Sequence, residues 1–236
     1  MRVTHIYHSG FLVELPHMVL IFDWYTGELP AFDAGKPLFV FVSHRHGDHY
    51  GECIWSLAER FESVTYIIDR EVPYRMHQDV PGVCRVRHGG CYDLPVPGMD
   101  ATIIVRTLKS TDTGVAFCVE ADGYRIFHAG DLNVWWWDDE PEEDNLNQDR
   151  NCRGQLELLR EQLCGEQIDI CFWPLDPRLG ENAPRGLAQF AEVLGARWFV
   201  PMHYWDRKEE SLAYQTDPRL AEIRERLRYE DRFDIE

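Results

Sequence analysis

Ser43-His44-Arg45-His46-Gly47-Asp48-His49 places four metal-ligand side chains within six residues. Neutral imidazole and carboxylate are the donors that borderline divalent cations such as zinc accept. His44 and His46 are two apart, so an extended backbone points them to one side. Gly47 lets the chain turn before Asp48 and His49. One cation can take the first pair and a second cation the other. So dense a ligand set serves no purpose in a plain turn, and it points to a metal centre.

A centre of this kind needs donors from distant segments. Asp131 follows a strand-like run and the tight turn Ala129-Gly130, where a carboxylate can bridge two cations. His203 ends the run Phe199-Val200-Pro201-Met202. Asp23 closes an apolar strand and can orient a ligand histidine from behind, and His128 is placed for a similar supporting bond or for packing. Trp135-Trp136-Trp137 can line a substrate pocket or pack a loop. Arg178 can hold a substrate carboxylate or phosphate, or form a surface ion pair.

The elements that must position these residues read as strands first, then strands alternating with helices. Val3–Tyr7, Phe11–Leu15 and Val19–Asp23 are strands, and residues 25–36 a loop. The apolar run Leu38-Phe39-Val40-Phe41-Val42 is a buried strand ending where the ligands begin. A helix is expected over Ile54–Phe61 and a strand over Val64–Ile68. Residues 73–98 are turn-rich with short extended pieces. Thr102–Thr107, Val115–Glu120 and Arg125–His128 are strands, the last two joined by the hairpin signal Asp122-Gly123. The acidic run 138–144 reads as a solvated loop or helix start. Leu156–Leu163 and Arg185–Leu194 read as helices, Ile168–Trp173 and Trp198–Met202 as strands, and Pro218–Leu227 as a polar amphipathic helix. This order fits one α/β domain with two sheets over residues 1–236.

Composition narrows the function. With 236 residues, 44% hydrophobic and 28% charged, the chain can bury a core without staples. The formal net charge of −17 disfavours a nucleic-acid partner, since phosphate contacts supply most non-specific affinity. No apolar run reaches the ~20 residues of a membrane helix. The seven cysteines form no CxxC pair and read as reduced thiols of a cytoplasmic protein. GxSxG, P-loop and GxGxxG motifs are absent, which removes the usual support for serine-hydrolase, NTPase and Rossmann chemistry.

His44-Arg45-His46-Gly47-Asp48-His49 resembles the HxHxDH motif of the metallo-β-lactamase superfamily, and the later aspartate and histidine follow in the same order. His8-Ser9-Gly10-Phe11 with Ile21-Phe22-Asp23 resembles the opening strands of its general hydrolase branch. The resemblance spans roughly residues 3 to 205. It implies a four-layer αββα sandwich. It also implies His44 and His46 at a first metal, Asp48, His49 and His203 at a second, and Asp131 between them. The third first-metal histidine of that superfamily is missing from Ser110-Thr111-Asp112-Thr113-Gly114. Asp112 can replace it, His8 can reach in, or one metal alone is held.

The expected enzyme is a metal-dependent hydrolase with one or two divalent ions, zinc first and manganese or iron as alternatives. Water on such an ion ionises near pH ~7 instead of ~15.7 and attacks a small-molecule ester, lactone, amide or phosphodiester. Asp48 or Asp131 orients that nucleophile and takes its proton. The alternatives are an iron redox site and a degenerate metal-binding protein.

Overall fold

The computed structural model describes residues 1–235. Two sheets pack face to face. The first holds β1 (Arg2–Tyr7), β2 (Gly10–Glu14), β3 (Val19–Phe22), β4 (Leu38–Val42), β5 (Val64–Asp69) and β6 (Val83–Val86). The second holds β7 (Cys91–Pro95), β8 (Thr102–Lys109), β9 (Val115–Ala121), β10 (Tyr124–His128), β11 (Ile168–Pro174) and β12 (Ala196–Met202). A short β13 (Arg232–Asp234) returns to the first sheet beside β1. Strand order is β13-β1-β2-β3-β4-β5-β6 in one sheet and β12-β11-β10-β9-β8-β7 in the other. The strands β3 to β6 run parallel, as do β10, β11 and β12.

Period-two alternation builds the layers. On β4, Phe39 and Phe41 face the core between the sheets, while Leu38, Val40 and Val42 face a second apolar cluster outside. Both faces are covered, so the strand reads as an unbroken apolar run. The outer cluster is closed by Ile54, Trp55 and Leu57 from a 3-10 turn (Glu52–Ser56) running into the four-residue α1 (Leu57–Arg60). The second sheet is covered by α2 (Glu142–Leu163) and α3 (Pro184–Val193), and a six-residue α4 (Lys208–Ala213) follows β12. The layers are therefore αββα, as the motif implied. Among the described residues no helix is long and apolar enough to cross a membrane.

Two expectations change. Of the two readings of the acidic run the helix start holds, and α2 begins nearly four turns before Leu156, with Glu142, Glu143 and Asp144 in the first turn, where the helix dipole favours them. Its early buried positions are only Asn145 and Cys152, so no apolar stripe announced it. Pro218–Leu227 is not one helix but two 3-10 turns, Pro218–Leu220 and Arg224–Arg226. Leu220 and Ile223 are buried three residues apart, the 3-10 repeat. Arg224 and Arg226 bond to the carbonyls of Gln215 and Ala196, which holds the segment to its neighbours instead of to itself. The turn-rich stretch yields two strands, β6 and β7, at the outer edges of the sheets. Asp122 and Gly123 do turn the β9–β10 hairpin, with φ of 50° and 79°.

The functional residues follow the carboxyl ends of parallel strands, as ligand sites in α/β sheets do. Asp23 follows β3, Ser43 and His44 follow β4, Asp131 follows β10, Asp176 follows β11 and His203 follows β12. The sheets are tied together there by Val115 N–H, which donates to Ser43 O at 3.0 Å. Gly114 has φ of +73°, and a Cβ on it would lie 2.2 Å from Ser43 O and 2.4 Å from His44 Cβ. Gly114→Ala should therefore lower stability by about 3 kcal/mol in urea unfolding, combining a left-handed penalty with a backbone clash. Gly123→Ala, with φ +79° and nothing near its Cβ, should lose only about 1 kcal/mol.

Candidate metal centre

Asp131 is buried and sits at the middle of the site. Its Oδ1 lies 3.0 Å from His49 Nε2 and 3.3 Å from His203 Nε2. Its Oδ2 lies 3.3 Å from His44 Nε2, which is itself 3.0 Å from His46 Nδ1. The cleft side of this group carries Asp48, whose Oδ2 is 3.6 Å from His8 Nε2. Four sets of donor atoms fall within 4.8 Å of one another: His44, His46 and Asp48; His44, His49 and Asp131; His46, Asp112 and Asp131; and His8, Asp48, His49 and His203. Both alternatives for the missing histidine thus reach the cluster, Asp112 on the His46 side and His8 on the His203 side.

Hydrogen bonding fixes the imidazoles. Ser43 Oγ donates to Asp23 Oδ2 at 2.6 Å, so toward His44 Nδ1, 3.0 Å away, it accepts. His49 Nδ1–H donates to Asp23 Oδ2 at 2.7 Å. His203 Nδ1–H donates to Asp176 Oδ2 at 2.9 Å. In each case Nδ1 faces an acceptor behind it and Nε2 faces Asp131, where it can meet a proton or a metal ion. His8 is the reverse. Its Nδ1 accepts the Trp205 N–H at 3.3 Å, which leaves the proton on Nε2, aimed at Asp48. His128 also bonds to backbone, with Nε2 donating to Ser9 O at 2.9 Å and Nδ1 accepting from Gly130 N–H at 3.2 Å. It holds the turn before Asp131, and its closest approach to Asp23 is 3.9 Å.

The charges show what the site wants. Burial alone would raise the Asp131 carboxyl, yet His49, His44 and His203 hold it well below the usual carboxylate range. Burial works against a charged His49, but Asp131 and Asp23 on either side raise it well above an ordinary imidazole. Positive charge is therefore demanded between these carboxylates. Burial pushes His8 down to about 4 against the pull of Asp48, so it is neutral at pH 7. Burial raises Asp176, but His203 and Arg178 bring it down to about 2. His49 Nε2, His203 Nε2 and Asp131 Oδ1 are buried and have no hydrogen-bond partner. Each such atom costs ~1–3 kcal/mol if left unpaired. Three facing one another are satisfied together by one divalent cation, and the donor set fits it.

Backbone strain gathers here. Among the described residues, six non-glycines have positive φ, and four of them are His8, Asp23, His203 and Trp205. Each left-handed residue costs ~1–2 kcal/mol and persists only where its surroundings insist. His203 N–H donates to His8 O at 3.2 Å, locking two of the strained residues together.

A cleft of about 330 Å³ opens over the centre, with Trp135, Trp137, Gln148 and Arg178 opposite the histidines and carboxylates. Trp135 Nε1 donates to Asp131 O at 2.8 Å, and its ring runs parallel to Trp137. Trp136 turns away to lie under Arg185. Asp176 was not singled out from the sequence, although it follows a buried strand just as Asp23 does, and that pattern would have found it.

No protein-family model matches the chain. A metal-dependent hydrolase from Opitutus terrae is 31% identical over 218 residues, which cover 86% of this chain and 85% of that one. The chain belongs to the UPF0173 metal-dependent hydrolase family. The family is named for the enzyme class expected from the residues. The solved structure of Igni18, a metallo hydrolase from Ignicoccus hospitalis, covers 100% of this UPF0173 member and 99% of its own chain with a TM-score of 0.67 at 14% identity. YhfI from Bacillus subtilis, a metallo-β-lactamase fold protein, covers 90% of it and 92% of its own chain with a TM-score of 0.50 at 15% identity. The sandwich of this UPF0173 protein is the metallo-β-lactamase fold.

Asp176→Asn should weaken divalent-metal affinity by roughly 10–100-fold, the usual effect of losing a carboxylate behind a ligand histidine. Competition with a coloured chelator measures it. Unchanged affinity would show that His203 does not depend on Asp176.

Proposed function

We propose that this chain hydrolyses a small-molecule ester, lactone, amide or phosphodiester at a divalent-metal centre. His44, His46, Asp48, His49, Asp131 and His203 hold it, with Asp131 shared and Asp112 taking the place of the absent histidine. One observation carries the reading. The Nε2 atoms of His44, His49 and His203 converge on the two oxygens of Asp131, and each Nδ1 faces an acceptor behind it. Mixed nitrogen and oxygen donors favour zinc, and the carboxylates also suit manganese.

When bound, such an ion polarises the scissile carbonyl or phosphoryl oxygen and makes water a nucleophile near pH ~7. The chain's own groups do the rest. Asp48 is half-buried and open to the cleft, so it can align the attacking water and receive its proton at a carboxylate oxygen. His8 Nε2 faces Asp48 from 3.6 Å, beyond hydrogen-bond distance, and supplies a nearby polar group rather than a bond. Asp131, flanked by three imidazoles, stays ionised throughout. Trp135 and Trp137 cover one side of the cleft and shield it from water.

Asp112 also favours a second reading, since an added carboxylate suits iron in a redox site. Elemental analysis separates the two. Zinc or manganese with turnover on nitrophenyl esters or bis(4-nitrophenyl) phosphate supports hydrolysis, whereas iron with visible absorption supports redox chemistry.

Asp131→Asn should lose bound metal and at least 100-fold in turnover, an estimate on the scale of losing a central catalytic group. Retained turnover would end the proposal. Adding metal at about 100 times its Kd should stabilise the metal-free protein by about 2.7 kcal/mol, seen as a rise in Tm that a chelator reverses. His8→Gln, which keeps a donor near Asp48, should retain the metal stoichiometry. Loss of an ion would make His8 a ligand instead.

A further inference from the structure

Among the described residues Arg178 is the one lysine or arginine lining the metal cleft, in a chain whose net charge is −17. Its position is fixed from behind. Nε is 2.9 Å and Nη2 2.6 Å from Asp176 Oδ2, and its backbone N–H donates to Asp176 Oδ1 at 2.9 Å. Asp176 is fully buried, and the Arg178 side chain is 43% exposed, so one edge of the guanidinium is clamped and the other faces outward. The ring centroids of Trp137 and Trp205 lie 5.8 Å and 6.0 Å from the guanidinium carbon, within cation–π range.

A guanidinium has five N–H donors in a planar fork. The clamp engages Nε and one hydrogen of Nη2. Both hydrogens of Nη1 and the second of Nη2 remain, and these form the edge that pairs with two oxygens of a carboxylate or phosphate. A clamped fork loses little freedom on binding, which favours affinity. Trp135 and Trp137 line the same cleft, and their rings run parallel.

We propose that Arg178 and the Trp135–Trp137 face form a substrate subsite for an oxyanion. The substrate of this centre is then an acid-bearing molecule, carrying a carboxylate or phosphate on a flat or apolar body. This identification of the substrate class rests on the hydrolase reading; the anion subsite does not. Arg178 acts as a specificity residue that touches the substrate away from the reacting bond.

The probe is phenylphosphonate, titrated into metal-loaded wild type, Arg178→Gln and Arg178→Lys, with benzamide as the neutral control. Metal content is measured on the same samples. Arg178→Gln should bind phenylphosphonate at least tenfold more weakly, the scale of a lost charge-assisted pair. Arg178→Lys, which keeps the charge and a partner for Asp176 but not the fork, should lose several-fold. Benzamide binding and metal content should stay the same in all three. The metal-free wild type should keep weaker binding that still depends on Arg178. An unchanged phenylphosphonate Kd in Arg178→Gln overturns the proposal. So does a fall in metal content alongside affinity, because Arg178 would then act only by positioning Asp176 and His203. Should Arg178→Gln not fold, the Lys variant reads the same question. A metal-loaded protein that turns over no substrate yet binds the phosphonate through Arg178 would remove the hydrolase reading and leave the anion subsite standing.

Discussion

The structure depends on one buried carboxylate surrounded by the Nε2 atoms of three imidazoles. Asp131 in an apolar interior is unfavourable alone, because burial penalises its charge. It is tolerated because His44, His49 and His203 face it, and those imidazoles are oriented by Ser43, Asp23 and Asp176. The arrangement is not a set of ion pairs that happen to meet. Each Nδ1 faces outward to an acceptor, and the inner atoms His49 Nε2, His203 Nε2 and Asp131 Oδ1 are left without a hydrogen-bond partner, free to share one cation. Donor sets that simply stabilise a fold satisfy themselves, whereas this one leaves its inner atoms open.

The αββα architecture makes that possible. Parallel strands end side by side, and the loops at their carboxyl ends bring donor atoms from residues as distant as His49 and His203 within 4.8 Å of one another. The two sheets are fastened beside the site through Val115 and Ser43. The strained residues His8, Asp23, His203 and Trp205 lie around the same centre, so the surrounding core must hold conformations that these residues do not prefer. The core between the sheets supplies that rigidity, with Phe22 stacked on both Phe41 and His128.

Much of this was legible in the chain. The candidate donors of the motif, Asp131 and His203 announce themselves by type and by following apolar strands, and Asp23 does so by the same rule. The elements that escaped lacked a one-dimensional signal. The first half of α2 is stabilised by its end charges and by a few buried contacts, not by an apolar period. The C-terminal segment has helical spacing, but arginine bonds to carbonyls of other segments override it. Asp176 needed only the pattern already applied to Asp23. The tautomer of His8 was beyond the sequence altogether, since it depends on a backbone N–H 197 residues away.

The Asp112 position carries the remaining argument about chemistry. A histidine there would be neutral; a carboxylate adds negative charge beside His46 and Asp131. More negative charge binds a dication more firmly, but it also draws less positive field toward the substrate, so the ion is a weaker Lewis acid. Harder cations gain relative to zinc as oxygen replaces nitrogen. The one guanidinium in the cleft partly compensates that loss of field on the substrate side. Arg178 is held by Asp176, and Asp176 also orients His203, so one buried carboxylate sets both a ligand and the cation facing it. Asp176 thus bonds both the cleft guanidinium and a cluster histidine, while itself lying behind the cleft.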